Sequence, residues 1–491
     1  MNILRKIRIA AALFFFAGIT LLLLDLTGSL HAWLGWMARV QLLPAILALN
    51  AVVVAALVVL TLLFGRVYCS VVCPLGVMQD VISRAAGKRK RYRFGYSPAK
   101  SVLRYTVLAL FLAALVGGIG SLATFIAPYS AYGRIVTHLF APVWQWGNNL
   151  LAAAAERFDS YAFYRVDIWV RSGIVLTTAA ATLAAVGWLA WRGGRTWCNT
   201  ICPVGTVLGV LARFSLLKPR IDTSKCNGCK LCARNCKAAC IDPEAHTIDY
   251  SRCVVCMDCI DTCRHGAITY SLRRKAQAEE APASASRRRF LAVTGLLAAS
   301  AVRAQEKKVD GGLAVIEKKR VPVRTTPLTP PGSLSASHMA QHCTACQLCV
   351  AACPNGVLRP SSRLETLMQP EMSFERGFCR PECVKCSEVC PAGAIRPIDV
   401  AEKSATQIGH AVWIRENCLA AREGVNCNSC ARHCPAGAIR LVHTDAEDPE
   451  SPRIPVVDTE RCIGCGACEA HCPARPLSAI YVEGHTVHRT V

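Results

Sequence analysis

A chain of 491 residues that is 53% hydrophobic, with the apolar excess gathered toward its N-terminal end, excludes a wholly soluble enzyme and implies a membrane domain followed by soluble modules. The formal net charge of +23 does not mark a nucleic-acid binder, because the lysines and arginines collect beside apolar runs and form no aromatic-interleaved face. The 29 cysteines are spaced too regularly for a disulfide scaffold.

Crossing a hydrocarbon core of about 30 Å takes about 20 apolar residues. Four runs are that long: Ile9 to Gly28, Leu42 to Phe64, Val102 to Leu122 and Gly173 to Trp191. Arg5, Lys6 and Arg8 before the first run, and Arg84, Lys88, Arg89, Lys90, Arg91, Arg93 and Lys100 between the second and third, place the N-terminus and that loop in the cytoplasm. The segments around His31 to Val40 and from Thr124 to Arg171 are then periplasmic loops. The second and fourth runs end alike, in Gly65-Arg66-Val67-Tyr68-Cys69-Ser70-Val71-Val72-Cys73-Pro74 and Gly194-Arg195-Thr196-Trp197-Cys198-Asn199-Thr200-Ile201-Cys202-Pro203. Cysteines at i and i+4 share a helix face, so Cys69, Cys73, Cys198 and Cys202 can converge at the cytoplasmic boundary. The spacing leaves open whether they serve redox chemistry, a metal or contact with a cluster.

Asp25 is the one acid inside a span, with His31 close by. Together they are candidate proton acceptors for a quinol, against the alternative of an interfacial aspartate. No histidine lies within the spans and no Cys-x-x-Cys-His occurs, so neither b- nor c-type haem is expected. No flavin or nucleotide signature appears.

Cys226, Cys229, Cys232 and Cys236, then Cys253, Cys256, Cys259 and Cys263, follow the ferredoxin spacing Cys-x2-Cys-x2-Cys-x3-Cys. Three thiolates of each run wrap one 4Fe–4S cluster and the fourth reaches its neighbour. Cys263 thus completes the first set and Cys236 the second. Lys237 and Arg264 stand where proline usually follows, and the extra Cys240 is either a bystander or an alternative ligand.

Residues 274–286 form a linker, and Ser286-Arg287-Arg288-Arg289-Phe290-Leu291 opens an apolar run of about 13 residues, short for a span and suited to a signal-peptide core. Ending near Ala304, it is expected to act as a twin-arginine export signal, cut or retained as an anchor. Four more quartets follow: Cys343, Cys346, Cys349, Cys353; Cys379, Cys383, Cys386, Cys390; Cys418, Cys427, Cys430, Cys434; and Cys462, Cys465, Cys468, Cys472. Each is closed by proline, and short strands are expected at Gly393-Ala394-Ile395 and Gly437-Ala438-Ile439. Pairing of adjacent quartets, or of first with fourth and second with third, both close.

Residues 1–275, with four spans, two Cys-x3-Cys-Pro motifs and a two-cluster module, resemble the NapH-type membrane ferredoxins. Residues 286–491, with an Arg-Arg signal and four quartets, resemble the NapG or MauM periplasmic ferredoxins, so that the chain reads as a fusion of the two. The expected fold class is an α-helical membrane domain of four transmembrane helices plus α+β ferredoxin-like domains. The expected divisions are 1–215 membrane domain, 216–275 cytoplasmic two-cluster module, 276–304 linker and signal, and 305–491 periplasmic four-cluster region. The resemblance implies a bacterial inner-membrane protein with six 4Fe–4S clusters. It would pass electrons from the quinone pool to a periplasmic reductase or its cytochrome subunit as a quinol dehydrogenase-type component. The alternative is a maturation factor that reduces a metal or thiol centre of a client enzyme.

Overall fold

The computed structural model describes residues 3–25, 29–87, 94–117, 119–158, 163, 165, 166, 168, 173–272, 319–445, 447, 448 and 450–490. The twin-arginine stretch 286–304 and the basic residues 88–91 lie outside these. The helical part comprises α1 (Ile3–Leu24), α2 (Leu42–Leu47), α3 (Ala51–Phe64), α4 (Val67–Val71), α5 (Pro74–Gly87), α6 (Ser101–Val116), α7 (Pro128–Ile135), α8 (Ala141–Glu156), α9 (Gly173–Gly193), α10 (Thr196–Thr200) and α11 (Pro203–Ala212).

Among the described residues two helices, α1 and α9, are long and apolar enough to cross a membrane, where four were expected. The other two runs are cut by local backbone chemistry. Leu49 takes a left-handed φ of 54°, and the Asn50 side chain then accepts the Val53 N–H at 3.2 Å and starts α3 afresh. The third run stops being helix at Val116, where Gly117 caps α6, and resumes over Gly120–Ile126.

The expected loop after Thr124 is largely helical. α7, a π-turn at Val136–Phe140 and α8 carry the chain from Pro128 to Glu156. Arg134, a charge that favoured the loop reading, is fully buried. It donates to the carbonyls of Thr124 (3.2 Å) and Phe125 (2.7 Å), near the end of the preceding helix. Tyr132 reaches the Thr20 hydroxyl of α1 at 2.5 Å.

The two repeat glycines reverse the chain. Gly65 and Gly194 have φ of 77° and 67°, which suits glycine alone, and a Cβ on Gly194 would lie 2.5 Å from the Lys237 carbonyl oxygen. α4 and α10 therefore fold back into the bundle, and Pro74 and Pro203 begin α5 and α11. The four thiols are buried within the protein.

The first cysteine module is framed by antiparallel β1 (Leu217–Ile221) and β4 (Ile268–Leu272), with the short pair β2 (Ile241–Asp242) and β3 (Thr247–Ile248) between them in sequence. The second contains β5 (Leu358–Pro360) paired with β6 (Pro370–Met372), β7 (Thr406–Trp413) with β10 (Ile480–Thr490), and β8 (Ile439–His443) with β9 (Arg453–Val457). Gly393–Ile395 is not a strand. Ile395 N–H turns to the Cys390 sulfur at 3.4 Å, and Arg396 N–H to the Gly332 carbonyl at 2.9 Å.

The modules pack on opposite ends of α1. At its start, Arg5 pairs with Asp258 (2.9 Å) and Asp261 of the first module. Toward its other end the second module takes over. Ser130 bonds the Thr344 carbonyl, Gly133 lies so close to Cys346 that a Cβ would sit 2.2 Å from its oxygen, and Arg39 donates to the Glu388 carbonyl at 3.2 Å. One buried core runs through all three parts, from Val254 and Cys256 through Cys69, Cys73 and Cys202 to Cys343, Cys346 and Cys349.

Candidate redox centres

In the regularly spaced loops the same backbone twist recurs. The residues two and four places after the first cysteine have left-handed φ: Gly228 and Lys230, Val255 and Met257, Ala345 and Gln347, Gly464 and Gly466. For β-branched Val255 this conformation is a costly outlier. Its repetition shows a loop bent around a common centre, a signal that only the glycines at 228, 464 and 466 hinted at in sequence. The two widened quartets lack this pair. The long gap in the third holds a short helix, Leu419–Glu423, turned by Gly424 at φ 67°.

The quartets line cavities by the crossed rule. Cys226, Cys229, Cys232 and Cys263 share one cavity, Cys253, Cys256, Cys259 and Cys236 a second, and Cys418, Cys427, Cys430 and Cys472 a third. Cys390 has Cys346 and Cys349 as electrostatic neighbours, Cys353 sits beside Cys379 and Cys386, and Cys434 beside Cys462, Cys465 and Cys468. Pairing is thus between adjacent quartets. Backbone N–H groups point at sulfur in this region, from Ala345 to Cys343, Ala438 to Cys434 and Ala479 to Cys472, each at 3.3 Å. Soft thiolates in such sets fit the iron of 4Fe–4S clusters. Cys379 N–H bonds the Cys465 carbonyl at 2.9 Å, which joins the two pairs. Cys240 lies 3.5 Å from Cys236, sulfur to sulfur, in the second cavity.

Lys237, the residue in proline's usual place, proves to be a clamp. Its ammonium pairs with Asp80 (2.8 Å) and Asp258 (3.2 Å), and its carbonyl accepts the Arg195 N–H at 2.8 Å. Asp80 also takes Arg8 (2.5 Å) and Arg195 (2.7 Å). Neither Asp80 nor Lys237 was singled out as a site residue in sequence.

Cys69, Cys73, Cys198 and Cys202 come together with no disulfide between them. The two repeats brace each other crosswise. Arg66 donates to the Cys198 carbonyl at 3.2 Å and Arg195 to the Cys69 carbonyl at 2.5 Å. Gly76 and Gly205 make room for these guanidinium groups, since a Cβ would stand 2.5 Å from Arg195 Nη1 and 2.7 Å from Arg66 Nη2.

Asp25 and His31 are also brought together. An Asp25 oxygen accepts the Leu30 N–H at 2.9 Å. Burial first, then Arg39, lowers the His31 pKa, with Glu388 and Asp25 opposing. His31 Nδ1 is buried without a hydrogen-bond partner among the described residues. Through Glu388 the pair lies near the short helix Lys385–Val389, which carries Cys386.

Comparison with known proteins agrees with the cysteine geometry. A family model for a 4Fe-4S binding domain matches residues 46–93 and 175–222, and two models for 4Fe-4S dicluster domains match 249–357 and 425–475. The chain thus carries 4Fe-4S binding segments at both ends of its described fold. It is 25% identical over 256 residues to the putative electron transport protein YccM of Escherichia coli, covering 52% of this chain and 65% of the relative. It is 26% identical over 240 residues to the ferredoxin-type protein NapH of the same organism, covering 47% and 70%. To the methylamine utilization ferredoxin-type protein MauM of Methylobacillus flagellatus it is 31% identical over 158 residues, covering 31% and 66%. The chain thus spans just under two thirds of the length of YccM and of MauM. No solved structure matches it. Its relatives carry electron-transport and ferredoxin-type names, and α1 and α9 are long and apolar enough to cross a membrane.

Proposed function

We propose that the chain is an electron conductor set across a bacterial inner membrane, joining the quinone pool to a periplasmic reductase or its cytochrome subunit. The N-terminal module faces the cytoplasm and residues 305–491 the periplasm, as in a fusion of NapH-type and NapG- or MauM-type proteins. α3 and α6, too short to span alone, complete the membrane domain with the segments beside them. The observation that carries this reading is the buried core that runs without a break from Cys256 through the bundle to Cys343, Cys346 and Cys349.

Iron–sulfur clusters, when bound, take up and release single electrons. Cys343, Cys346, Cys349 and Cys390 would hold the one nearest the bundle. Cys379, Cys383, Cys386 and Cys353 would hold the next, Cys462, Cys465, Cys468 and Cys434 the third, and Cys418, Cys427, Cys430 and Cys472 the outermost. With the two of the N-terminal module this makes six. Quinol gives up two electrons and two protons. On this reading His31, whose Nδ1 has no hydrogen-bond partner among the described residues, accepts one proton, and Asp25 beside it passes protons to solvent.

A reduced quinol analogue added to the purified full chain in nanodiscs should bleach the visible iron–sulfur absorption, and His31→Gln should slow this at least tenfold. Clusters that dithionite reduces but quinol leaves oxidised would overturn the quinol assignment.

A further inference from the structure

We propose that Cys69, Cys73, Cys198 and Cys202 hold an iron–sulfur cluster of their own, buried in the bundle between the two ferredoxin modules, with Arg66 as its fixed counter-charge. The proposal rests on the iron–sulfur reading above and adds a centre to the six quartets.

The sulfurs are dressed as acceptors. Cys202 Sγ accepts the Gly205 N–H at 3.3 Å and Cys198 Sγ the Gln79 amide at 3.2 Å. The guanidinium of each repeat also faces the first thiol of its own motif, Arg66 toward Cys69 at 3.8 Å and Arg195 toward Cys198 at 3.9 Å. The same N–H-to-sulfur pattern marks the ferredoxin quartets at Cys343, Cys434 and Cys472. Donors aimed at sulfur favour thiolate over thiol and tune a cluster's potential.

The charges point the same way. Arg66 is wholly buried, and its donors go to Asn199 Oδ1 (3.0 Å), the Ser251 carbonyl (2.9 Å) and the Cys198 carbonyl. None of these is anionic. In the first repeat Asp80 neutralises Arg195. The matching position of the second repeat is Gly209, where a Cβ would stand 2.1 Å from Arg104 Nη2. A second buried guanidinium thus occupies the space where an acid would be. Arg104 has Asp249 nearby, but a buried cation such as Arg66 without a counter-charge is costly, and four neutral thiols or two disulfides do not supply one. A cluster on four thiolates is anionic and does.

The position suits a relay. Val254 and Cys256 of the first module share the core with Cys69, Cys73 and Cys202. On the other side Tyr68, a neighbour of Cys73, donates to Gln41 Oε1 at 3.0 Å, in the segment that leads to the second module. Each electron received from one module leaves to the other, and no bond or proton is exchanged.

The test is iron and acid-labile sulfide per chain, with EPR of the dithionite-reduced full-length protein, for wild type and Cys69→Ser/Cys198→Ser. The double variant should lose the iron and sulfide of one cluster and one EPR component, while the ferredoxin signals stay at wild-type levels. Unchanged iron, sulfide and spectra in a double variant that retains its ferredoxin signals would overturn the proposal and leave the conductor reading standing. Should the double variant not fold, Arg66→Met decides. It should lower the midpoint potential of that one component and leave the others in place, and a variant with no component displaced contradicts the assignment.

Discussion

Asp80 faces Arg8, Arg195 and Lys237, from the first helix, the second repeat and the first ferredoxin module. Burial pushes its carboxyl up, but the cations, Arg195 foremost, carry it well below the ordinary value of 3.8. A depressed carboxyl contributes stability that is complete above its unfolded value and is lost only as pH falls through the folded one. The contribution therefore stays constant across the neutral range. Asp80→Asn leaves a wholly buried Arg195 unpaired, at a cost of about 3–5 kcal/mol. A thermal scan in detergent should show a lower unfolding temperature and early release of iron from the N-terminal module, with Asp80→Glu keeping part of the stability. The quartets could be recognised in the sequence because the cysteines of each run lie close together, although the fourth member of each set comes from the neighbouring run. Asp80 and Lys237 could not, because the chain must fold before residues so far apart in sequence meet.

At the scale of elements, glycine decides the architecture at two equivalent places. Gly65 and Gly194 turn α4 and α10 back into the bundle, and Gly194 packs on the Lys237 backbone. Gly194→Ala adds a left-handed alanine and a clash with a backbone oxygen, costing roughly 1–3 kcal/mol. It should expose the 216–275 module to limited proteolysis without changing the C-terminal fragment pattern, whereas an unchanged digest would show that the turn does not hold the module. The repeated Gly-Arg-x-aromatic-Cys-x3-Cys-Pro pattern announced a shared site, but not its depth. Hydropathy treats a glycine turn as a pause and gives no direction for the chain beyond it. For the same reason it passed over the breaks at Leu49–Asn50 and Gly117. It also took Pro128–Glu156 for a loop, since a buried arginine satisfied by helix-end carbonyls looks like a solvated one in sequence.

For the whole molecule, the order of modules along the chain was readable from cysteine spacing, and the contact between quartets was not. The backbone hydrogen bond from Cys379 to Cys465, and the placement of the two modules at opposite ends of α1, depend on packing among distant segments. The twin-arginine stretch lies outside the described residues. The central claim is that the bundle joins the two modules into one conductor. The most direct measurement uses liposomes carrying the full chain, with dithionite outside and an impermeant viologen dye trapped inside. Conduction from end to end predicts that the trapped dye is reduced only when the chain is present, in either orientation, and that Cys69→Ser/Cys198→Ser abolishes this. Clusters reduced on the outside with the trapped dye still oxidised would contradict it.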